Sequence, residues 1–275
     1  MSPSCDDLVM SSWSTLTATV DGRIGRLTLN QPDQLNPLGT VPLAEIADAA
    51  TWFDTTDASI VVVTGAGRAF SSGFDLREFA GQPGTADASG VADAPVDTRA
   101  QGDLGRIMAE SMERMRALTI AAIKGPCVGG GVVLAGVCDL RIAADDTVFS
   151  IPEVDLGIPL AWGGIPRLLR ELPPAIVREL VLTCRPFDAA EALSLGFVNR
   201  VVPRAELETT VDELAEQLAR KAPSVVRATK RQVNASLEDM TSTAGAWADA
   251  DQLGAAMRDP EARAAARDYL ARRHA

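Results

Sequence analysis

The sequence predicts an α/β domain built of repeated strand–strand–helix units and closed by a helical C-terminal block. Three observations carry this. The runs SIVVVTG at 59–65 and TIAAIKG at 119–125 are apolar and β-branched, as buried strands are. Segments of helical period stand between such runs. Helical patterns dominate after residue 203.

Taken in order, residues 15–20 and 24–29 alternate and are joined by Asp21-Gly22, a hairpin signal. Residues 40–53 read as a helix, and the strand 59–65 leads into the loop GAGRAFSSGFDL. Residues 81–102, GQPGTADASGVADAPVDTRAQG, are small and polar and read as a mobile loop. LGRIMAESMERMRAL, 104–118, has helical period. After the strand 119–125 come a glycine-started helix in CVGGGVVLAGVCDL (127–140), the strand DLRIAAD, and the segment TVFSIPEVDLGIPLAWGGIPRL. One short strand falls near 197–202. The helices beyond have amphipathic faces that need burial on the core or on another subunit. The chain thus divides into 1–203, a core, and 204–275, a helical region.

At 275 residues, 47% of them apolar, the chain can bury a substantial core. Its net charge of −11, from 26 basic and 37 acidic residues, argues against a nucleic-acid partner. An anionic small molecule held by a few local cations remains compatible with it. The four cysteines, Cys5, Cys127, Cys138 and Cys184, form no CxxC pair or zinc pattern, so no metal is expected and a reduced, cytoplasmic setting fits. The single histidine, His274, sets aside His-based triads and His metal sites. The start, MSPSCDDLVMSSW, lacks the basic and apolar regions of a signal peptide. The longest nearly apolar run has thirteen residues, Pro126 to Cys138, short of the about 18 that suggest a membrane span.

Two loops are candidates for chemistry. Gly129, Gly130 and Gly131 let backbone approach a ligand, and a helix start there favours an oxyanion. Tight helix–strand packing explains the triplet equally well. In AFSSGFDLREF, 69–79, Gly73 permits an unusual turn that aims the N–H of Phe74 into a cavity; an ordinary strand-to-helix turn is the other reading. TGAGRAF gives GxG after a strand, but Phe70 holds the third glycine's place, against a dinucleotide site. Together the loops place two donor N–H groups at the ends of buried strands, and two donors converging on one oxygen form an oxyanion hole.

AFSSGFDL and KGPCVGGGVVLAGVCDLRIAADDTVFSIPEVDLGIP resemble the enoyl-CoA hydratase/isomerase (crotonase) superfamily. So do LNQPDQLNPL at 29–38 and CRPFDAAEALSLGFVNRVVP at 184–203. The resemblance runs from about Ser14 to beyond Lys230. It implies a crotonase-like spiral of ββα units with a helical C-terminal trimerisation region, and a homotrimer or dimer of trimers. It implies an acyl-CoA thioester substrate in fatty-acid metabolism, and no cofactor beyond that thioester. The N–H groups of Phe74 and Gly130 would hold the thioester oxygen. Gly73, Asp75, Gly129, Val133 and Trp162 would border the substrate, with Leu134 also shaping the acyl pocket, and Arg77 and Lys230 would meet the coenzyme A phosphates.

Family hydratases carry two glutamates. The second matches Glu153; the first falls where this chain has Val133. One glutamate suffices to move a proton from C2 to C4 of a 3-enoyl-CoA, so the resemblance favours Δ3,Δ2-enoyl-CoA isomerisation with Glu153 as base. Its neighbours Ile151, Pro152 and Val154 would raise its pKa. Asp155, in an extended segment, would point to the same side, but it matches no catalytic position of the family and reads as structural or solvent-facing; Asp139, Asp145 and Asp146 read as structural. Ala161 stands where dienoyl-CoA isomerases and acyl-CoA hydrolases place an aspartate. Hydration with a non-standard second acid and non-catalytic acyl-CoA binding are the alternatives.

Overall fold

A computed structural model describes residues 9–75 and 98–274. Seven strands form the main sheet, in the spatial order β1 (Val9–Ser12), β2 (Leu16–Asp21), β3 (Ile24–Leu29), β4 (Ile60–Gly65), β5 (Leu118–Ile123), β7 (Leu140–Ala144) and β10 (Arg200–Val202). The hairpins at β1–β2 and β2–β3 are antiparallel, and every later pairing is parallel. A smaller sheet joins β6 (Pro126–Val128), β8 (Val148–Ser150) and β9 (Phe187–Asp188).

The helices are α1 (Thr40–Phe53), α2 (Thr98–Arg114), α3 (Gly130–Gly136), α4 (Gly164–Glu171), α5 (Pro174–Thr183), α6 (Ala189–Ser194), α7 (Leu207–Ala219), α8 (Pro223–Met240), α9 (Asp249–Arg258) and α10 (Pro260–His274). Helix α1 and the hairpin fall where the sequence places them. The expected loop 81–102 ends in helix from Thr98; its residues 81–97 lie outside the described ones. Helix α2 stops before the expected residue 118. There the Arg116 N–H donates to Asp54 Oδ1 (2.8 Å), holding the turn into β5.

The central parallel strands β4 and β5 are mostly apolar because both faces of the sheet are covered there. Val61 and Val63 of β4 face the main core, while Ile60 and Val62 face a second cluster with Ile120, Ile142 and Ala144. Leu207, Val211 and Ala215 of α7 close that second face. Part of the C-terminal block is therefore buried within the same chain. The small sheet is sealed by aromatics: Phe149 stacks on Phe187 at 5.1 Å, and Phe197 meets Phe149 edge-on at 5.5 Å. The last helices fold back over α2 and the Glu153 turn. A Cβ on Gly102 would lie 3.3 Å from Ala250 Cβ, and one on Gly157 would overlap the backbone of Ala262.

Among the described residues, no helix is long and apolar enough to cross a membrane, and no cluster of His, Cys, Asp or Glu has the makings of a metal site.

Candidate active site

The first donor loop follows β4 and is held from beneath by two side chains. Asn36 is buried at a φ of 54°. Its Oδ1 accepts from Gln31 N–H (2.9 Å), and its Nδ2 donates to the carbonyls of Ala66 (2.9 Å) and Ala69 (3.0 Å). Ser71 Oγ donates to the Asn36 carbonyl (2.7 Å) and accepts from the Gly73 N–H (3.1 Å). Leu38 N–H donates to the Gly73 carbonyl at 2.8 Å. With Gly73 at a φ of 83°, open to glycine at little cost, the chain turns so that Phe74 is next. Among the described residues, the Phe74 N–H finds no protein acceptor.

The second donor loop leaves β6 through Gly129, whose φ of 50° and ψ of −113° suit only glycine. Its N–H donates to the Ser150 carbonyl (2.8 Å), tying it to β8. Gly130 then opens α3, and its N–H likewise has no protein acceptor among the described residues. The two loops touch. A Cβ on Gly73 would lie 2.6 Å from the Val128 carbonyl oxygen and 3.6 Å from the Gly130 nitrogen. Both free donors thus border one space: Phe74, Gly130, Glu153 and Trp162 line a cavity of about 110 Å³, with Ile158, Leu160 and Met257 among its other walls.

Among the described residues, Glu153 supplies the only carboxyl lining that cavity. Pro152 through Ile158 form a tight turn, with Leu156 N–H on the Pro152 carbonyl and Ile158 N–H on the Glu153 carbonyl, each at 3.0 Å. The turn drives the Glu153 side chain inward against Gly129, where a Cβ would come within 3.2 Å of Glu153 Cδ. Its Oε2 is buried without a hydrogen-bond partner. Burial pushes the carboxyl from an ordinary 4.5 up to about 7, slightly offset by a backbone hydrogen bond. A buried carboxyl with one uncommitted oxygen, half-ionised near neutrality, is suited to accept and return a proton.

Several expected residues fall elsewhere. Asp155 is exposed, as read, but the segment is a turn and not extended, so it does not share the side of the buried Glu153. Lys230 is no phosphate contact. It is 5% exposed, and its Nζ is committed to Asp139 Oδ2 (2.8 Å) and the Ala117 carbonyl (2.9 Å). Asp139 is structural, as read, since it also accepts from the N–H and hydroxyl of Thr119. Val133 and Leu134 are buried in α3 as part of the main core, behind the cavity wall. Asp75 is half-buried beside Phe74 and does not line the cavity. Arg77 lies outside the described residues.

The sequence reading gave no role to Asn36 or Ser71, which set the Phe74 loop. A signal was present: Asn36 lies in LNQPDQLNPL, a matched motif without an assigned part. Leu253, Gly254 and Met257 of α9 also line the cavity. No local pattern could have shown that, because their approach depends on how α9 docks on α2.

The topology and the site define a crotonase-fold protein in which a buried carboxyl, the one such group among the described residues of the cavity, shares that cavity with two backbone donors. Comparison with known proteins agrees. A family model described as enoyl-CoA hydratase/isomerase matches residues 19–275. The chain is 32% identical over 230 residues to the short-chain-enoyl-CoA hydratase of Clostridium acetobutylicum, covering 82% of this chain and 84% of that one. It is 34% identical over 231 residues to the peroxisomal Delta(3,5)-Delta(2,4)-dienoyl-CoA isomerase of Arabidopsis thaliana, covering 81% and 82% respectively. Other curated relatives of similar identity carry hydratase names. A solved enoyl-CoA hydratase/isomerase of Mycobacterium paratuberculosis is similar with a TM-score of 0.81 at 26% identity, covering 93% of this chain and 98% of that one. The chain belongs to the enoyl-CoA hydratase/isomerase (crotonase) family.

Proposed function

We propose that this enzyme shifts the double bond of a 3-enoyl-CoA to the 2-position, with Glu153 as the only acid–base group. The observation that carries the reading is the lone carboxyl: Glu153 faces the cavity, while Val133 is buried and apolar where family hydratases have a second glutamate.

The thioester oxygen sits between the N–H groups of Phe74 and Gly130. Glu153 takes a proton from C2, and the C–H electron pair delocalises through C1 onto that oxygen as a dienolate. The two donors stabilise the developing charge on that oxygen. The carboxyl, now neutral, returns its proton at C4 as the carbonyl re-forms. The double bond is left between C2 and C3, and no atom is gained or lost. A carboxyl near pKa 7 suits both halves, since it must first accept and then donate. The reaction uses no cofactor beyond the coenzyme A thioester. In the same reading the working unit is a homotrimer or a pair of trimers, with Val225, Val233 and Met240 of α8, all exposed in the single chain, among the surfaces to be covered.

The hydratase names of relatives favour a second reading, addition of water to a 2-enoyl-CoA. Glu153 would then need help from an ordered water, because exposed Asp155 cannot serve as the second acid.

The test pairs two substrates, a 3-enoyl-CoA and a trans-2-enoyl-CoA, on the wild type and on Glu153→Gln. Turnover of the 3-enoyl substrate alone, lost in the variant, is the expected result. Robust hydration of the 2-enoyl substrate would overturn isomerisation as the main activity. Tight binding with no turnover of either would leave an acyl-CoA-binding protein.

A further inference from the structure

The most unusual residue beside Glu153 is Trp162. It adopts a φ of 64°, a left-handed conformation that a large side chain rarely takes. Such a conformation persists only where the surroundings impose it. Here three elements do so. Arg167 of α4 donates to the Trp162 carbonyl (2.8 Å) and is itself paired with Glu113 of α2 (2.7 Å). The next N–H, of Gly163, donates to Asp249 at the start of α9 (2.7 Å).

The strained backbone directs the indole into a slot between two glycines. A Cβ on Gly130 would lie 2.7 Å from Trp162 Cη2, and a Cβ on Gly105 of α2 would fall inside the indole itself. Phe74 meets the ring edge-on, with centroids 6.2 Å apart. Trp162 is 7% exposed and forms part of the cavity wall next to the Gly130 donor. It therefore takes up space beside the thioester site that an acyl chain would otherwise enter. What remains is a cavity of about 110 Å³. A cavity of roughly 150 Å³ admits one benzene, so this one holds about four or five non-hydrogen atoms.

We infer that Trp162, seated on Gly105, is a specificity-determining residue that restricts the enzyme to short acyl groups of about four or five carbons. The inference rests on the proposed acyl-CoA function but not on which reaction follows. The sequence places Trp162 beside the substrate; the left-handed backbone and the distant Gly105 show how it is held there to limit chain length.

The test measures binding and not turnover. Dissociation constants of saturated butanoyl-, hexanoyl-, decanoyl- and dodecanoyl-CoA are determined by calorimetry on the full chain, wild type and Trp162→Ala. Wild type should bind butanoyl-CoA about tenfold or more tighter than decanoyl-CoA. Trp162→Ala should bring the two within about twofold of each other, or reverse their order. Trp162→Phe, which keeps an aromatic ring against Phe74, should fall between and serves if the alanine variant folds poorly. Gly105→Ala should weaken butanoyl-CoA binding in the wild-type background and have little effect once Trp162 is alanine, a non-additivity that reports their contact. Equal affinity of the wild type for short and long chains would overturn the inference. So would an unchanged short-to-long ratio in both Trp162 variants. Length discrimination without turnover of a 3-enoyl-CoA would sink the isomerase reading and leave this one standing. Failure of every acyl-CoA to bind would remove both.

Discussion

Replacing Glu153 by glutamine keeps the shape of the side chain and removes its titration. The carboxyl is driven from 4.5 up to about 7 by burial. At about 1.4 kcal/mol per tenfold change in proton affinity, that corresponds to about 3 kcal/mol. The sign follows from proton counting. The folded state holds the Glu153 proton more tightly than the unfolded chain does. Stability relative to a non-titrating residue is thus full below about pH 4.5, declines as pH rises, and is lost above about pH 7. Glu153→Gln escapes that decline. Urea unfolding of both proteins at intervals from pH 4.5 to 8.5 measures the difference in unfolding free energy. That difference should move in favour of the variant by about 3 kcal/mol across the window, less if water reaches the carboxylate once it ionises. Turnover by the wild type should rise over the same window as the carboxylate forms. A stability difference that stays constant from pH 4.5 to 8.5 would refute the account of a buried, uncompensated Glu153.

Further outcomes follow from the supports of the site. Ser71→Ala removes the hydroxyl that joins Asn36 to Gly73. It should cost about 1–3 kcal/mol in unfolding free energy and lower kcat more than it raises KM, as steady-state kinetics would show. Gly129→Ala places a Cβ against the Glu153 carboxyl at a backbone angle reserved for glycine. Activity should fall by at least about a hundredfold, with a lower melting temperature in calorimetry. Lys230→Met strands the Asp139 carboxylate that Lys230 now pairs. The variant should lose about 3–5 kcal/mol of stability, while the KM of the remaining folded enzyme for acyl-CoA stays within about twofold of wild type. A large KM increase alone would restore Lys230 as a phosphate contact.

Much of the site was legible because it is local. The glycines that turn the two donor loops, and the glutamate in IPEV, lie in short segments whose backbone demands are met by few residue types. Gly73 and Gly129 occupy positive φ, and Glu153 is buried beside Ile151 and Pro152, although the other apolar neighbour, Val154, is exposed. The strands of the sheet could be read as buried because cover on both faces removes alternation, as β4 shows with Ile60 and Val62 on one side and Val61 and Val63 on the other.

What the sequence determined, then, was the class of fold and the two glycine loops, and, through its resemblance to a known family, the choice of Glu153. Tertiary structure decided the rest. Whether Asp155 joins Glu153 depended on a turn in place of an extended strand. Whether Lys230 meets a phosphate or Asp139 depended on α8 docking beside β5. That Trp162 wedges against Gly105, 57 positions earlier in the numbering, depended on α2, α4 and α9 meeting at one point. Local sequence specifies the backbone angles a few neighbouring residues will accept. It carries no record of which distant side chain will lie across from them, because that is set only when the faces of separate elements are buried together.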